Sequence, residues 1–341
     1  MKRLVKTLVF NLILILIILY TGNILREKWE YNDGQYKTRY QMMRDDFNNN
    51  DIKSIFLGSS GAFTAINQTK IFEETEVPTV NLAHLLQSPF TSYHLFEDFI
   101  KENEGVEVLF LDILGLTREV TPNNHERETR FYNALVSIKD KEKYLNELKA
   151  EFDKDFRISY YMPILKYHDR WNRLKSQDFF EIDEVNTITS YQLTKVADIN
   201  YEDGYMKEDK DFKKSDIGEK YLMKILDLAK SNDIDVVFYI LPKMDYSLNE
   251  IEEYHKFAQR HNAPIIDFTS DQLFNQVGID IKTDFADTIH LNYEGGKKIS
   301  KYFSNYIVEN YPHLQTDISQ STRDIFEREI RIIKAKYEKQ Q

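Results

Sequence analysis

The chain has 341 residues, 42% of them hydrophobic and 13% aromatic, a composition that builds a folded core and excludes a disordered or low-complexity body. Its formal net charge of −11 argues against nucleic-acid binding, which calls for a basic stripe to meet the phosphates. With no cysteine, structural disulfides, thiolate zinc sites, iron–sulfur clusters and a cysteine nucleophile are excluded together.

At the N-terminus, Lys2, Arg3 and Lys6 precede an apolar run from Leu8 to Tyr20, broken only by Asn11, and Arg26 opens a polar segment. This is the pattern of a secretory start signal. No small-x-small cleavage pattern occurs in Tyr20-Thr21-Gly22-Asn23, so residues 1–26 read as an uncleaved, single-pass signal anchor. The positive-inside rule then places the rest of the chain outside the cytoplasm, held at the cell membrane. Residues 27–50, polar with scattered Trp29, Tyr31, Tyr36 and Tyr40, read as a stalk.

Residues 51–312 carry an α/β pattern. Short apolar runs at Ile52–Leu57, Thr79–Leu82, Val106–Ile113, Ile234–Leu241 and Pro264–Phe268 predict five strands. Helical spacing over Phe90–Lys101, Ile217–Lys230 and Glu250–Arg260 alternates with them, which predicts a parallel sheet covered on both faces. Residues 117–214 interrupt the alternation after the third strand. They read as a helical insertion with a helix over Lys141–Phe152 and an aromatic cluster running from Tyr160 through Tyr167-His168-Asp169-Arg170-Trp171. Insertions of this kind extend from the ligand-binding end of the sheet, so a roof over the site is expected. Helices over Glu294–Tyr306 and Thr322–Tyr337 follow, the second within a C-terminal segment 313–341 that docks on the core or on a partner.

In an open parallel sheet, ligands sit beyond the carboxyl ends of the strands, where the strand order reverses. Gly58-Ser59-Ser60-Gly61 follows the first strand at that place. A serine on a strand-to-helix turn exposes its hydroxyl for attack while backbone N–H groups point to the same space. Its base is sought in Asp284-Phe285-Ala286-Asp287-Thr288-Ile289-His290, where Asp287 and His290 are three apart and the carboxylate reaches the imidazole within one turn of backbone. Two other readings of this segment stand beside catalysis: an aspartate capping the helix that follows, and a metal site of Asp284, Asp287 and His290. Lys243 and Asp245, after Pro242 at the end of the fourth strand, lie at the sheet edge suited to substrate contacts.

The Gly58-Ser59-Ser60 turn, joined to Asp287-x-x-His290 before the last long helix, resembles the SGNH/GDSL hydrolase superfamily. Its Gly-Ser-Ser form is similar to envelope members such as the teichoic-acid D-alanyl transfer protein and the alginate acetylation proteins. The resemblance implies a flavodoxin-like three-layer α/β/α fold with a five-stranded parallel sheet. It implies a triad of Ser60, His290 and Asp287 and a covalent acyl-serine, with no metal or cofactor. In the family, oxyanion donors come from a glycine in the second block and an asparagine in the third. This chain offers Ala83, His84 and Gln87 in place of the glycine block, and Asp112 where the asparagine belongs, with Gly61 beside the nucleophile. The implied substrate is an acyl ester, acetyl or D-alanyl, of a cell-envelope glycan or teichoic acid. A membrane-bound O-acyltransferase is the implied partner, since neither ATP nor acyl-CoA is present outside the membrane. A secreted carboxylesterase on small esters and a non-catalytic envelope binding or assembly protein are the competing readings.

Overall fold

The computed structural model describes residues 2–25, 34–48, 50–118, 131–153, 155, 157, 161–179, 187–189, 193–199 and 212–338. Trp29 and Tyr31 of the expected stalk, Tyr160 of the aromatic cluster, and residues 119–130, 180–186 and 200–211 of the expected insertion lie outside them. Along the chain run α1 (Lys2–Leu25), α2 (Gly34–Asp45), β1 (Ser54–Leu57), α3 (Ser60–Ala65), α4 (Gln68–Thr75), β2 (Thr79–Asn81), α5 (Pro89–Ile100), β3 (Val108–Asp112), α6 (Ile138–Phe152), α7 (Pro163–Tyr167), α8 (Asp216–Ser231), β4 (Asp235–Ile240), α9 (Leu248–Arg260), β5 (Ile265–Asp267), α10 (Asp271–Val277), α11 (Tyr293–Asn310) and α12 (Gln320–Ile333). Internal contacts divide the chain into two units. One unit, called the anchor unit after the signal anchor expected from its sequence, is Met1–Arg39 with Pro122–Asn186, and the sheet unit is Tyr40–Thr121 with Thr187–Gln341.

In the sheet unit the five strands pair in the order β2-β1-β3-β4-β5, every pair parallel. This is the expected flavodoxin-like order. The chain leaves β1 for β2 on one side and returns to lay β3 on the other, so the switch point lies at the carboxyl ends of β1 and β3. Those two strands are buried along almost their whole length, which is why they read in the sequence as continuous apolar runs rather than as alternation.

The layers follow from side-chain alternation. Phe110 and Leu111 are consecutive on β3 and so face opposite sides of the sheet. Phe110 is in register with Phe56 and stacks on it at 4.5 Å, and Phe303 of α11 packs edge-on against both rings. Leu111, on the other face, shares a small cavity with Leu222 and Ile225 of α8 and with Pro89 at the start of α5. Phe90 of α5 meets Tyr221 of α8 edge-on at 4.9 Å, closing that layer. Helices α3, α4 and α11 pack together on the Phe110 side.

Two segments outside the expected α/β domain also join this core. Tyr40, fully buried, donates its hydroxyl to the Leu95 carbonyl and the Asp98 carboxylate, both at 2.9 Å. Phe326 of α12 stacks on Phe72 at 4.2 Å, so the C-terminal helix docks on the core. In the anchor unit, α1 is long and apolar enough to cross a membrane. Its 24 residues span about 36 Å, and its apolar side chains from Leu4 to Leu19 are largely exposed along the length.

Candidate active site

The turn after β1 is set by a close approach. A Cβ on Gly58 would lie 2.7 Å from the Ala62 Cβ and 2.9 Å from both the Asp112 Cβ and the Tyr239 hydroxyl, so only glycine lets β1 enter the turn here. Ser59 is the N-cap residue of α3 in extended conformation, and its side chain makes no capping bond. Ser60 is therefore the first helical residue, half-exposed, at the carboxyl edge of β1. The first N–H groups of a helix have no intrahelical acceptor, and those of Ser60 and Gly61 are the first two of α3. A Cβ on Gly61 would meet only the Leu241 Cδ1, at an ordinary 3.6 Å, so α3 begins against the end of β4 and position 61 tolerates a side chain.

The Asp287–His290 segment forms a self-contained loop. The Asp287 carboxylate accepts the backbone N–H groups of Ile289 and His290, both at 2.8 Å, and faces the imidazole Nδ1 at 2.9 and 3.1 Å. Burial raises the Asp287 pKa, but the His290 ring and these N–H groups outweigh it and hold the carboxyl below its ordinary range, so it stays ionised. The far ring nitrogen, Nε2, is buried and has no hydrogen-bond partner among the described residues. That is the disposition a general base requires: one nitrogen held by a carboxylate, the other unoccupied. No hydrogen bond joins it to the Ser60 hydroxyl in this structure.

The other two readings of this segment meet different residues. The cap of α11 is Asn292, whose side chain accepts from Glu294 and Gly295, so Asp287 is not the capping residue. Asp284 is turned to Lys298 at 2.6 Å and to the Asp280 N–H at 2.7 Å. Among the described residues, no three His, Asp or Glu side chains converge as a metal site requires.

One contact ties this loop to the carboxyl edge of the sheet, and others join α11, the helix that follows it, to the end of α3. The Met244 N–H donates to the Thr288 carbonyl at 2.8 Å, pinning the segment after β4 to the loop. Ser300 of α11 accepts from the Asn67 N–H and donates to the Ala65 carbonyl at the end of α3.

The expected oxyanion residues are differently engaged. The Ala83 N–H donates to the Asn81 side chain at 3.0 Å, so an incoming oxyanion would have to displace that bond. His84 is buried with its ring 4.7 Å from Phe63. Gln87 donates from Nε2 to Ser92 at 2.9 Å, its buried Oε1 has no partner among the described residues, and the residue lines the small cavity with Ser59 and Asp112. Asp112 ends β3, and its carboxylate accepts the N–H groups of Leu114, at 2.9 Å, and Ser59. It thereby ties the Gly58-Ser59-Ser60 turn to the neighbouring strand. Enclosure by protein pushes its pKa up to about 6, against the pull of those N–H groups and of Lys243.

Lys243 is the feature that motif reading undervalued. Its side chain is nine-tenths buried, yet the ammonium makes no hydrogen bond among the described residues; its nearest carboxylate oxygen, on Asp245, is 3.9 Å away. Burial and the charge of Arg118 lower its pKa, while Asp245, Asp112 and Glu250 hold it up. Arg118 is itself spent on Asp245 and Glu250, at 2.6 and 2.8 Å. The sequence signal was slight: a lysine directly after a proline at a strand's carboxyl end.

No family model matches the chain, and no curated protein matches it. Among solved structures it is similar to a candidate acylhydrolase from Bacteroides fragilis, with 10% identity, TM-score 0.38, and coverage of 82% of this chain and 98% of that one. It is also similar to a GDSL-like lipase from Bacteroides thetaiotaomicron, with 9% identity, TM-score 0.40, and coverage of 81% and 98%. Likeness this weak says nothing about chemistry, which has to come from the residues themselves.

Proposed function

We propose that the chain is a membrane-anchored, extracytoplasmic serine hydrolase or O-acyltransferase of the SGNH kind. Its substrate is an acyl ester, acetyl or D-alanyl, of a cell-envelope glycan or teichoic acid. The observation that carries the reading is the imidazole of His290, gripped at Nδ1 by an ionised Asp287 and, among the described residues, left unpartnered at a buried Nε2. It stands on a loop joined through the Thr288 carbonyl to Met244, after β4, and Ser60 begins α3 at the carboxyl end of β1.

In the reaction, His290 Nε2 takes the Ser60 hydroxyl proton as the oxygen attacks the acyl carbonyl. Collapse of the tetrahedral intermediate expels the alcohol, which receives that proton from His290, and leaves an acyl-serine. Water or a sugar hydroxyl then repeats the sequence in reverse. The developing oxyanion is met by the Ser60 and Gly61 N–H groups and by the positive charge of Lys243, which takes the part of the absent asparagine. Transfer rather than hydrolysis requires a membrane partner that delivers the acyl group across the bilayer, the role of a membrane-bound O-acyltransferase.

A fluorophosphonate probe tests this on the full-length protein in detergent. Labelling of the wild type that disappears in both Ser60→Ala and His290→Ala is the expected result. A folded wild type that takes no label would overturn the catalytic reading in favour of a binding or assembly role.

A further inference from the structure

A secretory signal that is cut away contributes nothing to the folded protein, whereas the last turn of α1 is built into the anchor unit. Gly22 is buried against α7, and a Cβ there would come within 3.1 Å of the Ile164 backbone nitrogen. Leu25 is fully buried, and its carbonyl, one of the four that a helix end leaves unpaired, accepts a hydrogen bond from Arg170. Arg170 is itself almost wholly buried and pairs at 3.0 Å with the equally buried Asp178. Asp178 also accepts the Lys175 N–H at 2.7 Å, the additional bonding that a buried ion pair needs.

The segment that makes this clasp is unusual on its outer side. Tyr161, Leu165, Trp171 and Phe179 are between 49% and 54% exposed, and Tyr20 at the end of the apolar run of α1 is 69% exposed. Exposed Arg173 and Lys175 lie among them. Large aromatic and apolar side chains next to cations, at the level where an apolar helix ends, match the chemistry of a lipid head-group region, in which Trp and Tyr concentrate. The segment packs on the last turn of α1 through Pro163 and Ile164 against Gly22, which brings it to the surface of the bilayer that covers α1.

We infer that residues 161–179 form a collar in the outer lipid interface, and that α1 is retained as a permanent anchor clasped by Arg170. The aromatic cluster of the insertion, expected from the sequence to help roof the site, is thus assigned to the membrane surface. The inference rests on the anchoring part of the proposed function and is independent of its chemistry.

The test uses the full-length chain with Trp29→Phe, which leaves Trp171 as the one tryptophan. The protein is reconstituted in phosphatidylcholine–phosphatidylglycerol vesicles whose acyl chains carry bromine either near the head group or near the tail. Trp171 is expected to lose roughly half of its emission to the shallow bromines and much less to the deep ones. Protein that floats with the vesicles while Trp171 is unquenched and open to aqueous acrylamide would overturn the collar and leave the anchor standing. Protein that does not float would overturn the anchor itself. An intact mass, from protein extracted from membranes, that begins beyond residue 25 would overturn retention.

Discussion

The two halves of the candidate site are built in different ways. The acid–base half is local: Asp287 and His290 lie within four residues, and one carboxylate holds both the turn and the ring. The proposed oxyanion half draws on separate strand ends, with the Ser60 and Gly61 N–H groups after β1 and Lys243 after β4, while Asp112 at the end of β3 holds the Ser59 N–H that sets the turn. A local motif keeps its geometry wherever its short sequence survives. A composite one can be rebuilt from other residues, and a search for its usual letters then finds nothing.

The largest expected effect removes the local half. Ser60→Ala or His290→Ala should lower the turnover of a 4-nitrophenyl ester by about 10³-fold or more, with the fold retained by circular dichroism. Asp287→Asn should cost up to about 10⁴-fold in kcat, since an amide presents the wrong partner to Nδ1 and favours the wrong tautomer. If that variant keeps most of its activity, the Asp287–His290 pair is a structural staple and the contrast between the halves collapses.

Lys243 sharpens the comparison. As a charge stabiliser, Lys243→Met should lower kcat by about 10²-fold with KM little changed, and Lys243→Arg should recover part of the loss. A rise in KM confined to anionic esters would instead make Lys243 a substrate anchor and leave the oxyanion to backbone N–H groups alone.

The smallest effect concerns Asp112 and pH. Its folded pKa of about 6 stands above the ordinary 3.8, so the folded state favours the protonated form. The associated stability is full below about pH 4 and is lost as pH rises through 6. Asp112→Asn removes this dependence. It should raise stability at pH 7 by at most roughly 2–3 kcal/mol and leave it unchanged near pH 4, as read from denaturation midpoints at the two pH values. A midpoint difference that does not vary with pH would remove the raised pKa from the account.

The strands were readable because the apolar runs are flanked by turn residues such as Gly58, Pro78, Gly105, Pro242 and Ser270, and the parallel order followed from their alternation with helices. Asp287 and His290 were readable for the same local reason. Asp284 was not: its partner Lys298 lies on the next helix, and no spacing rule distinguishes an ion-paired carboxylate from a metal ligand. Nor was the fate of the Ala83 N–H, which depends on how the Asn81 side chain turns after β2. The stalk reading ran into the same limit, since the burial of Tyr40 rests on Leu95 and Asp98, more than fifty residues away.

The central claim is that Ser60 is the nucleophile, and mapping the phosphonate adduct tests it most directly. After labelling, tandem mass spectrometry of the peptide containing Gly58-Ser59-Ser60-Gly61 should place the adduct on Ser60 alone. An adduct on Ser59 or on a serine elsewhere in the chain would contradict the account.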